Sequence, residues 1–137
     1  RTLPYTATQM YALVADIESY PQFLPWCRSA RILKSDGAEM LAELTIGYKM
    51  IRESFTSRVL LDEKNKAISV QYISGPLKSL RNEWRFEDVG TAKCRIDFFV
   101  QFEFTSRLLS HLMDMFFDVA FRRMVEAFEK RASETYH

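Results

Sequence analysis

Few side chains in this 137-residue chain are equipped to move a proton or a chemical group. There are two histidines, His111 and His137, and two cysteines, Cys27 and Cys94. His111 falls on the polar side of the C-terminal segment and His137 ends the chain, so neither is placed as a general base. The cysteines are far apart and form no CxxC pair. No HExxH run and no carboxylate cluster at metal-ligand spacing occurs. The four glycines build no phosphate-cradling loop. Cys27 and Cys94 therefore read as reduced, half-buried thiols of a cytosolic-type compartment, with a disulfide as the lesser alternative. A sheet could gather Glu53, Glu83 and Asp97, but strand alternation puts Glu83 and Asp97 on its wet face. The expectation is a protein that is not an enzyme, with no metal and no required cofactor.

What remains is apolar chemistry. Aromatic residues make up 14% of the chain, and eleven phenylalanines carry most of that share. Trp84, Phe86, Phe98, Phe102 and Tyr48 fall on the apolar sides of strands. Tyr48 and Tyr72 bring hydroxyls to that surface, and each hydroxyl needs a partner there. Greasy walls with a few polar handles are the usual make-up of a small-molecule pocket. A plain hydrophobic core built from the same residues stays open as the alternative.

The element that must position these side chains is the last long segment, Ser106 to about Ala132. Wound at about 100° per residue, Leu109, Leu112, Met113, Phe116, Phe117, Ala120, Phe121, Met124, Ala127 and Phe128 fall on one side. Arg107, His111, Asp114, Asp118, Arg122 and Glu129 fall on the other, with Ser110 and Val125 as exceptions. The apolar side spans roughly half the circumference, wider than the stripe of about 100° that seats a helix on one surface. Such a helix needs apolar partners in two directions. A sheet supplies one; a loop, a second helix or an apolar ligand supplies the other.

The sheet is legible upstream. Met40, Ala42, Leu44, Ile46 and Tyr48 alternate with Glu39, Glu43, Thr45 and Gly47 over Glu39 to Tyr48, with Leu41 as the exception on the polar side. Phe55, Val59 and Leu61 do so in the next strand, then Ile68, Val70 and Tyr72, then Leu80, Trp84 and Phe86. Cys94, Ile96, Phe98, Val100, Phe102 and Phe104 form the last, with Phe99 as its exception. This period of about 2 marks antiparallel strands with one buried and one wet face. Short turn-like connectors at Ser35-Asp36-Gly37, Asp62 to Lys66, Ser74-Gly75-Pro76 and Asp88-Val89-Gly90 suit a meander. Before it, Thr6-Ala7-Thr8-Gln9 has the form of a capping box opening a helix to about Asp16. Tyr20 to Leu24, punctuated by Pro21 and Pro25, reads as a second short helix or turn. A strand tail at Arg1 to Leu3 completes an α+β order of helix, helix, six strands and long helix in one domain, residues 1–137.

Composition narrows the partners. A hydrophobic share of 47%, a charged share of 27% and a net charge of +1 are ordinary for a globular protein and provide no field favouring DNA. The small clusters Arg28/Arg31/Lys34, Arg122/Arg123 and Lys130/Arg131 read as solvated faces. No apolar run approaches the roughly 18 to 20 residues that span a bilayer, and no signal-peptide pattern is read at Arg1 onward. It begins at Arg1 rather than Met, which is consistent with a short missing N-terminal piece. No transit segment is evident, which favours a bacterial over a processed mitochondrial protein.

The element order is similar to the helix-grip (START/Bet v-like) fold of polyketide cyclase/dehydrase and lipid-transport domains. Tyr20-Pro21-Gln22-Phe23-Leu24-Pro25-Trp26-Cys27 resembles the YPxFLPWC stretch of the coenzyme Q-binding subfamily, which also includes bacterial ribosome association toxins. Glu53-Ser54-Phe55-Thr56-Ser57-Arg58-Val59 and Gly75-Pro76-Leu77, followed by Leu80 and Trp84, match in order. The resemblance implies ubiquinone or another isoprenoid lipid bound between a curved sheet and the long helix, in a quinone carrier or chaperone that supports respiratory electron transfer. It implies ligand contacts from Trp26, Tyr48, Phe55, Tyr72, Leu77, Trp84, Phe98 and Phe102 of the sheet. From the helix it implies Leu109, Met113, Phe116, Phe117, Ala120, Phe121 and Met124. Gly75, Pro76 and Leu77 would form a gate loop, and Pro25, Trp26 and Cys27 would start a strand near the pocket. An isoprenoid tail outruns a domain of this size, so transient hydrophobic membrane contact is expected. That places the protein in the cytoplasm at the inner membrane, or on the matrix side of the mitochondrial inner membrane if eukaryotic, with respiratory complexes as possible partners. The alternative implied by the same subfamily is binding to the large ribosomal subunit and blocking of subunit association.

Overall fold

The computed structural model describes residues 1–48 and 51–136; for Tyr48, Ile51, Leu109, Leu112, Met113, Met115 and Phe116 it describes the backbone only. The expected contacts of Tyr48, Leu109, Met113 and Phe116, and the position of His137, lie outside the described residues.

The capping box forms as expected. Gln9 N–H donates to Thr6 Oγ1 (3.1 Å) and Thr6 N–H donates to Gln9 Oε1 (2.9 Å), opening helix α1, Ala7–Ala15. A third free N–H at this terminus, that of Ala7, donates to Asp88 Oδ1 (2.8 Å), which ties α1 to the sheet. Nine residues are too few for a stable isolated helix, so α1 depends on its buried Met10, Tyr11, Leu13 and Val14. The predicted second helix is a 3-10 helix, Ile17–Gln22. The Tyr20 hydroxyl donates to the Val14 carbonyl and fastens this turn to α1.

The strands are β1 (Thr2–Leu3), β2 (Cys27–Asp36), β3 (Glu39–Tyr48), β4 (Ile51–Asp62), β5 (Ala67–Ser74), β6 (Leu77–Asp88) and β7 (Cys94–Phe104). They form one antiparallel sheet in the order β1-β7-β6-β5-β4-β3-β2, a meander with the short first strand added to the β7 edge. Irregular registers in the β2–β3, β4–β5 and β6–β7 pairs bend the strands. The curved sheet faces the long helix α2, Arg107–Thr135, in the helix-grip arrangement.

Burial is graded along this assembly. At one end α1, the 3-10 helix and the last turns of α2 close over the sheet. Buried there are Met10, Leu13, Val14, Ile17, Leu24, Met40, Ala42, Val59, Ile68, Phe86, Cys94, Phe128 and Ala132. Toward the other end the same faces are only half-buried: Leu44 and Ile46 on β3, Phe55 on β4, Val70 and Tyr72 on β5, Leu80, Asn82 and Trp84 on β6. Phe98, Val100, Phe102 and Phe104 on β7 and Phe117, Ala120 and Phe121 on α2 follow the same trend. The two layers are sealed at one end and open toward the other.

Candidate functional site

The open part of this interface is built from alternation and register. Antiparallel pairing puts Trp84 opposite Phe98, Leu80 opposite Phe102 and Leu77 opposite Phe104 on one inner face. It adds Ile68 beside Trp84, Val70 beside Asn82, Ser57 beside Tyr72 and Leu44 beside Phe55. From α2, aromatic residues one or two turns apart reach the β7 and β6 side. Ring centroids lie 5.5 Å apart for Phe102–Phe117, 5.3 Å for Phe98–Phe121 and 5.5 Å for Trp84–Phe128. Phe117 and Phe121 stack on each other at 5.9 Å, and Trp84 meets Phe98 edge-on at 4.6 Å. Their offset and tilted geometries are the preferred ones for aromatic pairs. Along β7 the helix is thus in ring contact with the sheet, while Phe55 and Tyr72 stand half-buried on the strands away from that seam.

At the open end the Gly75-Pro76 turn is drawn tightly inward. Gly75 has φ +143°, and a Cβ there would sit 2.7 Å from Phe55 Cβ and 3.0 Å from Tyr72 Oη. Only glycine accommodates both the conformation and the approach. Tyr72 Oη accepts the Leu77 N–H (3.0 Å), and Thr105 Oγ1 donates to the Pro76 carbonyl (3.1 Å). The segment expected as a gate loop is therefore a tied turn at the rim, with Leu77 half-buried as the first residue of β6. Exposed Ile73 stands two residues before it, at 46% exposure.

Of the other predicted positions, Ala120 and Met124 lie half-buried on α2, and Met124 packs against the sealed core. Trp26 is half-buried just before β2 at the far edge of the sheet, where its carbonyl accepts the Gly47 N–H (2.9 Å). No described contact joins Trp26 to the Trp84–Phe102 wall. Strand β2 begins at Cys27, so Pro25 and Trp26 precede it rather than belong to it. Cys27 and Cys94 are free thiols, as expected, but buried rather than half-buried, at 7% and 0% exposure. Burial pushes both thiol pKa values up, which favours the unreactive protonated form. Glu53 shares the inner face with Ile46, whereas Glu83 pairs with Phe99 and Asp97 with Arg85 on the outer face. The sheet does not gather these three carboxylates.

Two polar residues of the inner face were missed by sequence reasoning. Asn82 interrupts the series Leu80, Trp84, Phe86; its Nδ2 donates to the Phe99 carbonyl (3.0 Å) and its Oδ1 accepts the Trp84 indole N–H (2.9 Å). Ser57 interrupts the series Phe55, Val59, Leu61 and is 3% exposed. The signal was available in both cases as one polar residue inside an apolar alternation.

Two surface grooves lie elsewhere. One of about 480 Å³ runs between the 3-10 helix and the last turns of α2, lined by Gln22, Phe23, Pro25, Arg123, Glu126, Ala127, Lys130, Arg131 and Glu134. Within it the Arg131 guanidinium stacks on Phe23 (5.2 Å) and donates to Gln22 Oε1 (2.8 Å). The other, of about 190 Å³, lies by Lys34, Asp36, Glu39, Met40, Leu41 and Arg58. Neither is lined by the predicted ligand contacts. Among the described residues no helix is long and apolar enough to cross a membrane.

Residues 3–129 match the family model described as polyketide cyclase / dehydrase and lipid transport. The ribosome association toxin RatA of Escherichia coli (strain K12) is 40% identical over 134 residues, 98% of this chain and 84% of that protein. A coenzyme Q-binding protein, the mitochondrial COQ10 homolog B of Xenopus laevis, is 34% identical over 99% of this chain and 57% of its own length. Among solved structures, the 18 kDa protein CC1736 of Caulobacter crescentus is 35% identical with TM-score 0.81, covering 99% of this chain and 94% of that one. The Zhui aromatase/cyclase of a Streptomyces species superposes with TM-score 0.89 over 100% of this chain and 92% of its own at 14% identity, a likeness of fold alone.

Proposed function

The chain belongs to the polyketide cyclase / dehydrase and lipid transport family, and on that premise we propose that it binds ubiquinone or a related isoprenoid lipid between sheet and α2. It would act as a carrier or chaperone and not as a catalyst. The observation that carries the reading is the gradient of burial. Large apolar side chains on both layers are sealed at the α1 end and left half-buried toward the Gly75-Pro76 rim. Exposing aromatic surface in two facing layers forgoes roughly 25 cal/mol for each Å² left wet, and a flat apolar ring inserted there would recover it. The name of the Xenopus relative, a coenzyme Q-binding protein, supports the ligand class. The test is to purify the protein from a quinone-containing host, extract it with organic solvent and identify the extract, then offer quinone to the stripped protein. Recovery or uptake of quinone is expected; the absence of both would sink the proposal.

A second reading has its own support, the 40% identity over nearly the whole chain to a protein named for ribosome association. On this reading the chain binds the large subunit and hinders joining of the two. Sedimentation of ribosomal subunits with and without the protein decides it. Loss of joined ribosomes, relieved by raised salt as phosphate contacts require, is expected; an unchanged profile removes the reading.

A further inference from the structure

Ser57 is a buried hydroxyl without a hydrogen-bond partner among the described residues. It lies on the inner face of β4, opposite Ala42 on β3 and Tyr72 on β5. Only 3% of the residue is exposed, and its Oγ has no hydrogen-bond partner among the described residues. Two other polar residues of the same face do have partners: Tyr72 Oη accepts the Leu77 N–H, and Asn82 bonds the Phe99 carbonyl and the Trp84 indole. An orphaned hydroxyl in apolar surroundings destabilises the empty protein, because it gives up water and gains nothing. It also marks where a guest's acceptor would be rewarded.

The position fits that role. Along β4, Val59 on one side of Ser57 is sealed at 1% exposure, while Phe55 on the other side is half-buried. Across the sheet the same boundary runs from buried Ala42 to half-buried Leu44 and from buried Ile68 to half-buried Val70 and Tyr72. Ser57 therefore stands at the floor of the open region, where the closed core begins. From there the face runs past Phe55 and Tyr72 to Gly75, where an added Cβ would meet both.

We infer that Ser57 is the polar anchor of the lipid site: its hydroxyl donates a hydrogen bond to a ring carbonyl oxygen of a quinone-type headgroup. The headgroup seats at the floor, and the apolar tail passes Phe55 and Tyr72 toward the Gly75-Pro76-Leu77 rim. This rests on the lipid-binding reading above and adds to it which end of the ligand enters first and which atom it must carry.

The test compares two probes on wild type and Ser57→Ala: a short-tailed ubiquinone, and the same tail on a methoxybenzene ring that lacks carbonyls. Binding is followed by quenching of tryptophan fluorescence. Wild type should bind the quinone about fivefold to tenfold tighter than the carbonyl-free ring, the worth of one neutral hydrogen bond. Ser57→Ala should bind both probes alike, at the weaker affinity, and melt at or above the wild-type temperature. Retained quinone preference in the variant overturns the inference, as does a lower melting temperature with equal loss of both probes. If wild type binds both probes alike, lipid binding stands and the anchor falls; if it binds neither, the lipid-binding reading itself fails. A readout free of mutation is the infrared carbonyl band of quinone on wild-type protein. A downshift relative to quinone in hydrocarbon is expected, and an unshifted band refutes the hydrogen bond.

Discussion

Phe128 and Phe121 are two turns apart on the apolar side of α2, yet truncating them to Ala should have opposite consequences. Phe128 is 5% exposed, with its ring against Tyr20 (5.6 Å), Phe23 (5.2 Å) and Trp84 (5.5 Å), all near edge-on. It joins the 3-10 helix, α2 and the sheet at the sealed end. Phe128→Ala removes a full ring and leaves a cavity between three elements, at about 3 to 5 kcal/mol. Phe121 touches Phe98 (5.3 Å) and Phe117 (5.9 Å) but remains half-buried. Its truncation should cost roughly half as much, about 1.5 to 2.5 kcal/mol, since only the buried part of the ring is lost. With a urea slope of about 2 kcal/mol per molar, the midpoint should drop by roughly 2 M for Phe128→Ala and by about 1 M for Phe121→Ala. Far-ultraviolet circular dichroism in urea measures both. Quinone uptake should then rank the other way: weakened about tenfold or more in Phe121→Ala, and near wild type in whatever fraction of Phe128→Ala stays folded. Equal midpoint losses with unchanged uptake in Phe121→Ala would refute the division of α2 into a sealed end and a ligand-facing middle.

Gly75→Ala should destabilise by about 1 to 3 kcal/mol, because the new Cβ meets Phe55 and Tyr72 at a φ of +143°; an unchanged melting temperature would contradict the close approach. Tyr20 is half-buried, with its hydroxyl turned in to the Val14 carbonyl, and its pKa is driven well above the ordinary 10.0, chiefly by desolvation. The native state therefore holds a proton that the unfolded chain releases, so stability is intact below pH 10.0 and declines above it. Tyr20→Phe should lose about 1 kcal/mol at neutral pH, from the missing bond to Val14, yet show a shallower decline in alkali when urea midpoints are followed up to about pH 11; parallel curves would exclude Tyr20 as a source of the decline. Leu77→Glu, at the half-buried start of β6, should lower stability by less than about 1.5 kcal/mol while slowing quinone uptake from vesicles. Wild-type uptake in that variant would remove Leu77 from the entry path.

How much of this was written in the chain depends on the range of the interaction. The capping box of Thr6 and Gln9 is set by residues three apart, and it forms as read. Strand β3 spans Glu39–Tyr48, the bounds its alternation gave, because a period of two with one buried face admits a single register. The over-wide apolar side of the last helix likewise announced that two surfaces must meet it. Sequence also marked Phe99 as misplaced in its strand, and the structure leaves it 45% exposed on the outer face beneath Arg81.

Other features belong to the fold alone. Gly75-Pro76-Leu77 looked like a free loop, but besides its local tie to Tyr72 it is held by Thr105, 29 residues along the chain, a distance that no local pattern encodes. Trp26, within the Tyr20 to Cys27 motif, lies at the far edge of the sheet. Alternation assigns Phe86 and Phe98 alike to the inner face; which one is sealed and which half-exposed depends on where α1 and the end of α2 land. The loneliness of Ser57 is of the same kind. A sequence records that a hydroxyl is present, but whether it has a partner depends on three strands and a helix brought together from distant parts of the chain.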